Sequence, residues 1–356
     1  MTNAAVPALD RANANSYPGV MTSRAFIAGC LGTSLTPDER AFFRDARPWG
    51  FILFRRNTQS PEQVAALTSE MRESVGWHAP ILIDQEGGRV QRMGPPLWPK
   101  YPTARAFLAI NDPVRQREIV RLSARLMAHD LKAVGIDVDC LPVLDVPVAG
   151  SHDVIGDRAY AHDPDQVARL GRAAAEGLIA GGVLPVVKHM PGHGRARADS
   201  HHDLPVVEAT LDALRAHDFR PFRHLADMPL AMTAHVVFTA LDPKHPATVS
   251  RKIVRGIMRG EIGFDGLIMT DDISMKALSG SFEAKARAAI RAGVDVILHC
   301  HGIMEEMVAV AGAVPEMKGA RARRAAAALG RIRHEPEPLD LDAARAELAS
   351  ALALQG

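Results

Sequence analysis

Short, uninterrupted apolar runs recur along the chain with polar-faced helical stretches between them. The runs occupy 25–30 (AFIAGC), 50–54 (GFILF), 81–84 (ILID), 136–146 (IDVDCLPVLDV), 183–189 (VLPVVKH), 230–237 (LAMTAHVV), 266–272 (GLIMTDD) and 294–300 (VDVILHC). Each has the length of a strand and is rich in Val, Ile and Leu. Continuous rather than alternating apolarity suits parallel strands buried on both faces. The intervening segments, such as 60–75, 112–135, 163–182 and 281–293, carry amphipathic helical spacing. Several open on Ser-Pro or Asp-Pro, a cap residue followed by proline at the first helical position, and several close on glycine. Eight alternating strand–helix units predict an α/β fold, a single (β/α)8 TIM barrel. A doubly wound open sheet is the alternative, but GCLGTSLT after the first run lacks the full GxGxxG turn.

No linker or internal repeat divides the chain. Residues 1–20 are too polar to pack alone and are expected to form an N-terminal extension without fixed structure. The barrel is expected over 21–333, followed by a C-terminal helical tail over 334–356, docked outside the barrel or frayed.

Composition narrows the function classes. Among 356 residues, 42 Lys and Arg face 41 Asp and Glu, a net charge of +1. That balance offers no basic field for nucleic acid and no acidic tail for a basic partner. No apolar run reaches the roughly 18 residues of a membrane span, and the N-terminus lacks the pattern of a secretory signal. Three cysteines without CxxC or CxxH spacing point to a reducing compartment. Cys140 and Cys300, in or beside apolar runs, read as small buried hydrophobes. A cytoplasmic protein, without nucleic-acid or membrane partners, is expected.

Barrel sites form at the C-terminal ends of the strands. There the runs end at Asp84, Asp145, Lys188-His189, His235, Asp271-Asp272 and His299. Charges at the ends of apolar strands are costly to desolvate without a partner or a role. The segment 188–205 (KHMPGHGRARADSHHDLP) is the richest. Asp199 and His201 lie two apart, so in extended backbone both point the same way. A carboxylate on one ring nitrogen fixes the tautomer and leaves the other for proton transfer, although alone the pair could equally be a surface contact. Zinc held by His189, His193, His201, His202 and Asp199 is a rival, but the helical HExxH arrangement is missing. Asp271 follows the seventh run and is expected to face the barrel axis; Asp272 could cap a helix at ISMKAL. In IDQEGGR the two glycines allow a turn that returns Arg89 and Arg92 toward Asp84, and carboxylate plus guanidinium suits sugar hydroxyls. Glu86 could pair with an arginine structurally. Arg158 in VIGDRAY could be a mere surface ion pair; His235 and His299 could be satisfied histidines at the edge of the core.

Taken together, IDQEGGRVQR, IGDRAY, KHMPGHG with DSHHDLP, and MTDDISM resemble glycoside hydrolase family 3, specifically its bacterial β-N-acetylglucosaminidases of cell-wall recycling. The resemblance runs from Met21 to about Gly330. It implies Asp271 as nucleophile, His201 as acid/base and Asp199 as its partner. Asp84, Arg92, Arg158, Lys188 and His189 would hold the sugar. It implies no cofactor and no metal, and as substrate an oligosaccharide or muropeptide with N-acetylglucosamine joined β-1,4 to anhydro-N-acetylmuramic acid. A monomer is expected. Met190 stands where the family often has Phe, and Thr270 where Ser is common. A phosphorylase or β-glucosidase of the same family, or a non-catalytic sugar-binding barrel, are the competing readings.

Overall fold

The computed structural model describes residues 18–200 and 203–353. Each of the eight apolar runs supplies one barrel strand: β1 (Arg24–Ala28), β2 (Pro48–Leu53), β3 (Ile81–Ile83), β4 (Val138–Asp139), β5 (Leu184–Met190), β6 (Leu230–Thr233), β7 (Leu267–Met269) and β8 (Ile297–His299). All pair in parallel in the order β7-β6-β5-β4-β3-β2-β1-β8. The seam between β7 and β8 is closed by the bridge Met269–Val296, where Thr270 N donates to the Val296 carbonyl at 3.1 Å and Val296 N to the Ile268 carbonyl at 3.2 Å, and by the Thr270 hydroxyl, which accepts from Leu298 N at 2.9 Å. The chain is thus a single (β/α)8 barrel.

The helices follow their strands in sequence: α1 (Pro37–Ala46), α2 (Pro61–Val75), α3 (Pro113–Ala133), α4 (Pro164–Ala180), α5 (Arg220–His224), α6 (Lys252–Glu261, wound with π-type hydrogen bonds), α7 (Phe282–Ala292) and α8 (Met304–Ala313). The cap-plus-proline signals have direct counterparts. Ser60, Asp112 and Asp163 each accept a backbone N–H of the first turn, with Pro next in line; such caps contribute about 0.5–2 kcal/mol each. Helices α3 and α4 cross closely because Gly177 has no side chain: a Cβ there would sit 2.2 Å from the Arg121 carbonyl oxygen. Two further helices complete the shell, α9 (Ala320–Gly330) and α10 (Leu341–Ala353).

Helix α10 docks on α3. It buries Ala344 and Leu348 and sets Arg345 3.0 Å from Asp130, whose other oxygen accepts the Tyr101 hydroxyl at 2.7 Å. At the other end, Pro18–Thr22 is a short helix with Val20 fully buried. Residues 1–17 and 354–356 lie outside the described residues, and so do His201 and His202. Among the described residues no helix is long and apolar enough to cross a membrane. The three cysteines are free and buried.

Candidate active site

The C-terminal ends of the strands surround a cavity of about 150 Å³ lined by Asp84, Glu86, Arg92, Arg158, Lys188, His189, His193, Ser200, Asp271, Asp272 and Cys300, with Phe54, Ile155 and Met275 among its apolar walls. Asp84, Arg92, Arg158, Lys188, His189 and Asp271, expected at one mouth from sequence, therefore line one pocket.

Five of these charges form a chain. Lys188 at the end of β5 sets its ammonium 2.9 Å from Asp84 Oδ1 and 2.6 Å from Glu86 Oε1. Arg92 reaches the other Asp84 oxygen at 3.0 Å. Arg158 closes a two-pronged pair on Glu86, with Nε and Nη2 both at 2.8 Å. Three cations thus hold two carboxylates where single ions would be costly. Burial raises the carboxyl of Asp84, but the Lys188 and Arg92 charges overcome it and hold it below the usual range. Glu86 follows the same logic: burial opposes its charge, and Arg158 and Lys188 bring it down to about 2. The Lys188 ammonium is raised, because the two carboxylates outweigh its desolvation. Arg158, whose side chain is 11% exposed, is no surface pair. Arg92 Nε is buried without a hydrogen-bond partner among the described residues.

A second cluster hangs the loop that follows β5. Asp145, fully buried, takes the His189 ring through Nδ1 at 2.6 Å and the backbone N–H of His193 at 2.6 Å. Burial raises its carboxyl, yet His189 and His193 bring it below the ordinary range. His193 in turn places Nε2 3.2 Å from Ser200 Oγ. Burial lowers the His193 ring to about 4 despite the nearby Asp145 charge, so it is neutral at neutral pH. Gly194 crosses so near Val146 that a Cβ would lie 2.2 Å from its carbonyl oxygen. Arg195 ties the loop outward to Asp218 at 2.6 Å. Asp199 sits half-buried at the loop's far end and has partners of its own. Ser200 lines the pocket and directly precedes His201, which lies outside the described residues.

On the opposite wall, Asp271 and Asp272 follow β7. Asp271 Oδ1 accepts the Asp272 backbone N–H at 2.8 Å. Asp272 caps no helix. It folds an Asx turn instead, accepting Ser274 N at 3.0 Å and Cys300 N at 3.3 Å, and ISMKAL runs as turns. His235 is the satisfied histidine that one reading foresaw: Nδ1 lies 2.7 Å from Thr248 Oγ1 and Nε2 3.0 Å from the Asp272 carbonyl, which props the wall from behind. Arg89 does not return to Asp84. It grips Asp157 and the carbonyls of Asp153 and Val154 on the outer rim.

Sequence reasoning underrated Glu86, placed Asp145 at the mouth without a function, gave His193 only as a ligand in the rival zinc reading, and did not single out Ser200. For two of them the signal was there. Asp145 ends its apolar run as Asp84 does, and Glu86 lies two residues beyond Asp84, on the same side of an extended segment.

Comparison with known proteins gives a consistent result. Residues 35–333 match the glycosyl hydrolase family 3 N terminal domain. The chain is 36% identical over 290 residues to a Beta-hexosaminidase of Bordetella avium, covering 80% of this chain and 82% of that one. It is 40% identical over 276 residues to a Beta-hexosaminidase of Aromatoleum aromaticum, covering 76% and 77%. Native NagZ from Neisseria gonorrhoeae superposes with a TM-score of 0.80 at 32% identity, covering 94% of this chain and 97% of that one.

Proposed function

This chain belongs to glycosyl hydrolase family 3 and is a glycoside hydrolase of the β-N-acetylhexosaminidase type, and from that premise we propose that it is a retaining exo-β-N-acetylglucosaminidase that uses Asp271 as nucleophile and His201 as acid/base. The observation that carries this reading is the placement of Asp271 on the pocket wall, in the same cavity as the Asp84–Lys188–Glu86 charge chain and as Ser200, the residue before His201.

In the first step an Asp271 carboxylate oxygen attacks the anomeric carbon while His201 gives a proton to the departing glycosidic oxygen. In the second, His201 takes a proton from water, whose oxygen displaces Asp271 and restores the starting configuration. Retaining enzymes ordinarily pair two carboxyl groups. An imidazole can exchange protons near neutral pH without the raised pKa that a carboxylic acid needs. Asp199 positions the imidazole. Asp84, Arg92, Arg158, Lys188 and His189 hold the terminal non-reducing N-acetylglucosamine. Two paired carboxylates and three cations supply both acceptors and donors for hydroxyl groups without net rearrangement.

The substrate is a β-1,4-linked fragment of cell wall, N-acetylglucosamine on anhydro-N-acetylmuramic acid with or without peptide, met in the cytoplasm during recycling. Action as a monomer is part of the same proposal. Incubation with a 5-fluoro N-acetylglucosaminyl donor, followed by peptide mass mapping, tests the nucleophile. The label is expected on the peptide containing Asp271, and a label on any other carboxylate would reject the assignment.

A further inference from the structure

Beside the pocket, a second group of side chains faces the start of α8. His299 ends β8, His301 follows two residues on, and Glu306 stands in the first turn of the helix. One ligand-competent atom from each lies within 4.8 Å of the others. His299 Nε2 is 2.7 Å from Glu306 Oε2, and His301 Nδ1 is 3.2 Å from the same oxygen. None of the three lines the sugar pocket.

We propose that His299 Nε2, His301 Nδ1 and Glu306 form a binding site for a divalent transition metal of the zinc class, separate from the sugar pocket. Two imidazoles and one carboxylate are the donor set that zinc accepts with a fourth position left to water, whereas calcium and magnesium favour all-oxygen shells. Tetrahedral bonds of about 2.0–2.1 Å set ligand atoms roughly 3.3 Å apart. The His301–Glu306 contact already has that spacing, and the His299–Glu306 contact needs to open by a few tenths of an ångström. Glu306, on a helix turn and 21% exposed at its side chain, has the freedom to do so. It also remains available: Lys285 spends its ammonium on the Ile273 carbonyl at 3.0 Å, and among the described residues Glu306 makes ion pairs with the two histidines alone.

A second feature points the same way. Ligating histidines characteristically use their other ring nitrogen to donate to an oriented acceptor. His301 Nε2 lies 2.9 Å from Ser274 Oγ, and that hydroxyl is hydrogen-bonded in turn to the Asp272 carboxylate. With Nδ1 on the metal, Nε2 carries the proton, donates to Ser274, and Ser274 donates to Asp272. The site is therefore tied to the turn that also carries Asp271, and occupancy fastens that turn to the first turn of α8. Among the described residues His299 Nδ1 has no such partner, so the support is built on one ligand only.

Zinc titration of the chelator-treated full-length protein tests the site, read by calorimetry. His301→Ala changes a residue 47% exposed at its side chain, and Glu306→Gln changes the other element. The unmodified protein is expected to bind one zinc equivalent more tightly, by at least tenfold, than either variant. Any zinc held by the histidine-rich loop after β5 is common to all three proteins and cancels. Zinc should also raise the melting temperature of the unmodified protein more than that of the variants. Equal stoichiometry and affinity in all three proteins would overturn the proposal and leave the cluster as two histidines hydrogen-bonded to one glutamate.

Discussion

Asp145 and His189 lie 2.6 Å apart through Oδ2 and Nδ1, the carboxylate wholly buried and the ring nearly so. This pair fixes which ring nitrogen of His189 is left for the pocket, and the same carboxylate also anchors the backbone of His193. Asp145→Ala removes one partner of a buried pair, a change that typically costs about 3–5 kcal/mol. The expected outcome is a markedly lower melting temperature together with a raised KM. Thermal unfolding and steady-state kinetics on an aryl N-acetylglucosaminide check both. Asp145→Asn keeps an acceptor oxygen and should recover part of the stability and little of the substrate affinity.

Acid should destabilise the fold in two stages. His193 is a base whose folded value, about 4, lies below the ordinary histidine range because burial disfavours its charge. The unfolded chain therefore binds its proton first, and stability contributed by the neutral ring is present at neutral pH and lost as pH falls from about 6.5 toward 4. Glu86, an acid brought down to about 2 against the opposing effect of burial by Arg158 and Lys188, adds stability that is present above about pH 4.5 and lost toward 2. A depression of that size is worth on the order of 3 kcal/mol. Denaturant midpoints measured from pH 7.5 to 3 should hold down to about pH 6.5 and fall from there. In His193→Gln the decline between pH 6.5 and 4 should be shallower, while the lower stage persists.

Gly194 carries a prediction because nothing chemical depends on it. The atom nearest to a new Cβ is the Val146 carbonyl oxygen at 2.2 Å, backbone that no rotamer change can move aside. Gly194→Ala should displace the loop bearing Asp199 and Ser200. Misplacing a catalytic group by about 1 Å can cost about 10²-fold in rate, so kcat/KM should fall by about that factor. The loop is tied independently through Arg195 and Asp218, and the melting temperature should change much less than in Asp145→Ala. Equal activity of Gly194→Ala and the unmodified enzyme would separate the loop from catalysis.

If His201 moves the proton, His201→Ala should lower kcat by about 10²–10⁴ with a smaller effect on ground-state binding. Substrates with good leaving groups should be spared in the first step, since a stable phenolate needs less protonation. Product release should be indifferent to inorganic phosphate. A rate that rises with phosphate and yields a sugar phosphate would instead make the enzyme a phosphorylase.

The barrel was legible because parallel strands buried on both faces read as mainly apolar runs, and all eight apolar runs became strands. Their lengths were not. The run at 136–146 gives a paired strand of only Val138–Asp139, because Leu141 N turns back onto the Asp139 carbonyl and pairing with β5 resumes only at the single bridge Val143–Lys188. The location of the site was legible from the same pattern, since charge at the end of an apolar run marks the mouth. Its internal wiring was not. Lys188 joins carboxylates 104 and 102 positions away, a pairing that no local spacing encodes. The helix cap considered for Asp272 did not form for a reason local spacing does not show: a carboxylate two residues before Ser274 can cap a helix or fold an Asx turn, and here its Oδ1 also accepts Cys300 N, just past β8.

A ring of strands has no free edge from which to fray, so its weakest stitch decides where it first gives way. Here the join with the fewest paired residues is that between β7 and β8, one bridge with its flanking hydrogen bonds and the Thr270 hydroxyl, and the next residue along the chain is Asp271. Local opening draws on the least-bonded places in a fold. Warming should thus silence the enzyme by letting one carboxylate drift while the far side of the cylinder is still intact, so that inactivation and melting are separate events.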